Sequence, residues 1–83
     1  MVVKAYILLT VTSGFEREVC SKLLSYDEVT ELNELYGEYD IIVGVQVDTL
    51  DDLDNFLTNK VRSIPNILLT YTMIVARKCK GDI

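Results

Sequence analysis

The sequence predicts an α+β sandwich of order βαββαβ, a four-stranded antiparallel sheet with two helices on one face. Three observations predict it. Four runs rich in Val, Ile, Thr and Tyr are interleaved with two stretches of helical apolar spacing. A tight Gly-containing turn joins the middle two runs, which makes them a hairpin. The outer two runs are reached only across the helical stretches, as crossover connections require. At 83 residues the chain has the length of one domain, punctuated only by Gly14, Gly37, Gly44, Pro65 and Gly81.

Residues 2–12, VVKAYILLTVT, are β-rich and nearly all apolar or Thr. They mostly lack the alternation of a half-exposed strand, so both faces read as buried. Residues 14–25, GFEREVCSKLLS, follow helical spacing: Phe15, Val19 and Leu23, with Cys20 and Leu24 beside them, form one stripe. Ser13 and Glu16 match an S-x-x-E capping box, a helix start worth about 1 kcal/mol. Residues 28–36, EVTELNELY, carry both helical and β signals, and the turn Tyr36-Gly37-Glu38-Tyr39 decides for a strand. In residues 39–48, YDIIVGVQVD, the set Ile41, Val43, Val45 and Val47 alternates with Asp40, Ile42, Gly44 and Gln46. A Gly inside a strand marks a bulge or a close backbone approach.

Residues 50–62, LDDLDNFLTNKVR, form the second helix, with Leu50, Leu53, Phe56 or Leu57, and Val61 as its stripe, continued by Ile64. Thr49 caps it. Asp51, Asp52 and Asp54 sit at the positive end of the helix dipole, Lys60 and Arg62 at the negative end. Helix stabilisation accounts for these acids without a metal. Pro65 and Asn66 stop the helix, and residues 67–76, ILLTYTMIVA, form the last strand, apolar on both faces. With both crossovers right-handed, this is the ferredoxin-like arrangement.

Composition narrows the chemistry. There is no histidine, and Cys20 and Cys79 have no metal-ligand spacing, which argues against a zinc site, a haem ligand or a Ser-His-Asp triad. Two cysteines in such a chain are expected to be free rather than bridged. Net charge is −5 and pI about 4.5, so direct nucleic-acid binding is not expected. The one basic cluster, Arg77, Lys78 and Lys80, reads as solvated charge beyond the last strand. No run reaches the roughly 18 apolar residues of a membrane span. A signal peptide would consume the first strand, so a cytoplasmic chain is expected.

The apolar fraction, 49%, and the mean hydropathy, +0.23, are high for so small a domain. Two helices cover one face of the sheet, which leaves a second apolar face larger than monomers tolerate. A second copy of the chain packed by two-fold symmetry is the expected cover. Burying about 600 Å² per subunit would contribute on the order of 15 kcal/mol gross. Association costs offset much of this.

The turn raises a separate question, because a turn needs only its Gly, yet Asp40 opens a strand that looks ready for burial. Gly37, Tyr39 and Asp40, followed by Pro65, Ile67, Thr70 and Thr72 within this strand order, resemble the effector-binding (RAM) domain of the Lrp/AsnC regulators. The resemblance covers essentially the whole chain; Asn66 stands where the family usually has Gly, and Asn tolerates the same left-handed backbone. Full-length members carry an N-terminal helix-turn-helix, whereas residue 1 here already opens the first strand. The expectation is therefore a stand-alone effector domain. The resemblance implies dimers, rings of eight or ten chains and an amino-acid effector bound between dimers; the sensor expected from it works either as a homo-oligomer or by co-assembly with full-length Lrp/AsnC regulators. It implies no cofactor.

A zwitterion needs a bipolar site. The N–H groups of a Gly turn can receive its carboxylate. Asp40 can receive its ammonium. Thr70 and Thr72 offer hydroxyls from one face of the last strand. Gly37, Tyr39, Asp40, Thr70 and Thr72 are thus the candidate effector residues, with Leu35 and Glu38 beside them. Structural roles stand alongside: Gly37 for positive φ, Asp40 as an acceptor of backbone N–H groups, and the threonines as β-formers. Two other readings share the topology. A small dimeric α/β-barrel enzyme, such as a cofactor-free oxygenase, would have only Asp40 and Tyr39 for acid–base work. An ACT-like regulatory module would use a Gly-containing loop after the first strand, where Gly14 stands.

Overall fold

A computed structural model describes residues 2–81. Its elements are β1 (Val3–Val11), α1 (Glu16–Leu24), β2 (Val29–Glu34), β3 (Ile41–Val47), α2 (Leu50–Asn55) and β4 (Ile67–Ile74). A π-helical turn, Phe56–Lys60, and a 3₁₀ turn, Val61–Ser63, continue α2. The sheet is antiparallel throughout, in the order β2-β3-β1-β4. This is the ferredoxin-like βαββαβ arrangement expected from the sequence.

The core lies between the sheet and the helices. Val3, Ala5, Ile7, Leu9 and Val11 of β1 and Ile41, Val43, Val45 and Val47 of β3 face Val19 and Leu23 of α1. Leu53, Phe56, Val61 and Ile64 cover the same face. The intervening residues of β1, from Lys4 to Thr10, are half-buried on the opposite, open face. Nearly all of β4 is exposed, so of the two runs that read as two-sided, β1 has one covered face within the chain and β4 has neither.

Three local expectations are corrected. Ser13 does not cap α1. Gly14 adopts φ 91°, which turns the chain before the helix and leaves Phe15 at the N-cap position without a side-chain cap. Glu16 still reaches back, accepting from the Gly14 N–H at 3.0 Å. Phe15 and Leu24 lie at the rim of the stripe and are exposed. Leu50 is also exposed, and the second helix is not one α-helix. Its buried residues are spaced 53, 56, 61 and 64, and the five-residue step needs the wider π turn to keep Phe56 and Val61 on one face.

Other expectations hold. Thr49 Oγ1 accepts from the Asp52 N–H at 3.0 Å. Asn66 adopts φ 74° in the turn before β4. Gly44 faces a bulge: Val29 pairs with Val45 and Glu31 with Gly44, leaving Thr30 unpaired. A Cβ on Gly44 would stand 2.9 Å from the Glu31 Cβ, so only Gly fits there without a shift. Both cysteines are free, Cys20 half-buried and Cys79 exposed.

Candidate functional site

The loop between β2 and β3 is closed by the Leu35 N–H donating to the Asp40 carbonyl at 2.8 Å. Gly37 supplies φ 134° at its tip, a conformation that glycine adopts without a Cβ penalty. Asp40 is tied to β1 twice. Its N–H donates to the Leu9 carbonyl at 2.8 Å, and its Oδ2 accepts from the Val11 N–H at 2.7 Å. The β1–β3 ladder ends with Leu9 opposite Ile41. The next β1 donor on that side, Val11, would be orphaned, and the carboxylate takes it. The acid at the strand start therefore satisfies the backbone of another strand. Among the described residues no hydrogen bond reaches Oδ1, which leaves that oxygen for a second partner.

Tyr39 packs edge-to-face on Tyr71, with ring centroids 5.5 Å apart and planes at 76°. Desolvation, then Glu38 and Tyr71, raises the Tyr39 phenol above its ordinary pKa. Tyr71 pairs with Leu8 on the open face. Thr70 and Thr72 pair with Leu9 and Ile7, so they stand on the helix-side face, and both are exposed there. Thr70 lines a shallow cavity of about 200 Å³ with Val61, Arg62 and Ile64. Within one chain the turn residues come together, while the two threonines share the other face of an edge strand.

Two features were not anticipated. The Thr10 hydroxyl, next to Val11, is buried without a partner. At the opposite end of the hairpin a cleft of about 410 Å³ is lined by Asp27, Glu28, Asp48, Asp52, Asn59 and Lys60 among others. Lys60 Nζ donates to Glu28 at 2.7 and 3.0 Å and lies 5.2 Å from the Tyr26 ring centre. That hydrogen bond lowers the Glu28 pKa. The sequence left Phe56 and Leu57 as alternatives in the stripe, so it did not fix where Lys60 stands on the helix. Asp51, Asp52 and Asp54 lie along the α2 start, and among the described residues no group of His, Cys, Asp or Glu is arranged to hold a metal. No helix among these residues is long and apolar enough to cross a membrane.

Comparison with known proteins places this geometry. The model of the Lrp/AsnC ligand binding domain matches residues 4–82. The HTH-type transcriptional regulator FL11 of Pyrococcus furiosus is 41% identical over 73 residues, 88% of this chain and 48% of the relative. A hypothetical protein of Pyrococcus horikoshii, PHS023, has a solved structure that is 51% identical, with a TM-score of 0.86 and 93% of each chain covered. The structure of Escherichia coli AsnC superposes with a TM-score of 0.91 at 32% identity, over 98% of this chain and 55% of AsnC. The chain spans about half the length of the curated relatives it matches. The named relatives among them are transcriptional regulators, and this chain belongs to the Lrp/AsnC ligand-binding domain family.

Proposed function

We propose that this chain is an amino-acid-sensing regulatory domain that dimerises through its open sheet face and assembles further into rings of eight or ten chains. The observation that carries the reading is the uncovered face itself. Leu69, Tyr71 and Met73 of β4 are all about half exposed, beside the half-buried Tyr6, Leu8 and Ile42. Such a contiguous apolar patch marks an interaction surface. Family membership supplies the expected occupants, further copies of a like domain and a small effector.

The effector site in this reading is built from Gly37, Tyr39, Asp40, Thr70 and Thr72. Their placement on two faces of the sheet favours a ligand held between chains rather than inside one. Asp40 Oδ1 would take the ammonium while Oδ2 stays on Val11, and the Gly37 turn would take the carboxylate. In this reading the chain acts in the cytoplasm, co-assembling with full-length Lrp/AsnC regulators and changing their occupancy of DNA. A catalytic role is not part of this reading.

Native mass spectrometry with and without a mixture of the twenty amino acids at about 1 mM tests it, a concentration at which even weak effectors register. The expected result is an even-numbered oligomer with ligand-sized mass steps or a shift in its distribution. A dimer that ignores every amino acid would remove the effector part and leave only assembly.

A further inference from the structure

The sheet's open face is almost uncharged. Among the described strand residues that face it, Lys4 of β1 is the one cation and Glu31 of β2 the one carboxylate. They do not meet within the chain: Lys4 lies opposite Gln46, whereas Glu31 lies opposite Gly44, and no ion pair joins them. Glu31 is nonetheless directed over the face. Its Oε2 comes within 3.4 Å of where a Gly44 Cβ would stand, in the space the missing side chain leaves. Lys4, with Tyr6, Gln46, Val75, Lys78 and Lys80, lines a pocket of about 440 Å³ on the same face. In a chain of net charge −5, three of the eight basic residues thus converge on one partly apolar pocket.

We infer that the occupant of this lysine-lined pocket is the Glu31 carboxylate of a second copy, so that two reciprocal Lys4–Glu31 pairs fix the register of the dimer. This inference rests on the sheet-face dimer proposed above. A two-fold axis running along the strands, between β1 and β3, lays β2 of one copy over β4 of the other. At the usual spacings of packed sheets and strands, Glu31 Cα then stands about 13 Å from the Lys4 Cα of the other copy, within reach of two extended side chains. Two-fold symmetry makes the patch self-complementary, because each copy brings one cation and one carboxylate. Closing the face without such a pair would strand both charges away from water, which is strongly unfavourable. A register that brings them together is favoured over slipped alternatives.

Charge reversal on the full chain, read as the dimer dissociation constant by analytical ultracentrifugation, tests the pairing. K4E and E31K should each weaken the dimer roughly tenfold or more, and the double variant K4E/E31K should return to within about threefold of wild type. E31Q, which keeps the size of the side chain over Gly44, should weaken it as well. Circular dichroism confirms that each variant is folded. Singles that dimerise like wild type, or a double variant as weak as the two losses combined, would overturn the pairing while the dimer itself stands. Rescue of E31K by K78E rather than K4E would overturn the assignment to Lys4. A wild-type chain that never dimerises would remove the underlying reading instead.

Discussion

Asp40 illustrates how one side chain can hold a fold and remain available for chemistry. Its Oδ2 accepts from the N–H of Val11, a residue only 6% exposed. Asp40→Ala leaves that donor unsatisfied, and a buried unpaired N–H costs about 1–3 kcal/mol. In a domain this small, that lowers the melting temperature by about 4–8 °C per kcal/mol. Asp40→Asn keeps an acceptor oxygen and should recover most of the loss. The pair of variants therefore separates two roles. A folded Asp40→Asn protein that no longer takes up an amino acid in a thermal-shift titration would mark the charge as the ammonium partner. Equal binding by wild type and Asp40→Asn would confine Asp40 to the backbone of β1. The sequence showed an acid at an unexpected place, but its partner lies 29 positions back in the chain. No local pattern encodes that contact.

At the level of elements, what the sequence made legible and what it hid have different physical origins. β3 and both helical stretches were readable because alternation and 3.6-residue spacing are imposed by burial of one face, whereas β1 and β4 were read from β-rich apolar composition and β2 from the turn that follows it. Asn66 and Gly44 were readable because each answers a backbone constraint that few residues satisfy. The Ser13 cap failed because the φ of Gly14, not the local motif, sets where the chain enters α1. The π turn was hidden because Leu57 offered an ordinary helical continuation after Leu53, and only packing chose Phe56 and Val61.

That turn also places Lys60 against Glu28 and Tyr26, joining the α2 segment to the start of β2. The Lys60 hydrogen bond depresses the Glu28 pKa below its ordinary 4.5. A depressed carboxylate contributes stability above its unfolded pKa and loses it as pH falls through the folded value. Wild type should thus exceed Glu28→Gln in stability at pH 7 by about 0.5 kcal/mol, since the pair is partly exposed. Urea titrations should show that margin vanishing in acid, below pH 4.5. A margin that persists there would mean that the side chain acts through packing rather than charge.

For the whole molecule, the decisive property is that the helices cover one face of the sheet over β1 and β3 and leave the other face open. β2, one edge, carries Glu31, Asn33, Glu34 and a bulge, features that blunt an edge against pairing. β4, the other edge, carries no charge from Ile67 to Ile74 and is exposed on both sides. A domain of this size buries only about 60% of its unfolded surface, so stability borrowed from a second copy is a large share of the total. That dependence makes the melting temperature a function of protein concentration, because association stabilises only the folded chain. Leu8 tests the point, since it lies mid-sheet on the open face between Ile42 and Tyr71 and is only half-buried in the single chain. A charge there is tolerable to a monomer and ruinous to a packed face. Leu8→Glu should fold, sediment as a monomer and melt at a temperature that no longer rises with concentration. Wild type should melt higher as it is concentrated. If Leu8→Glu remained dimeric, the assembly surface would have to lie elsewhere, with the uncovered strip of β4 carrying Thr70 and Thr72 the next surface to mutate.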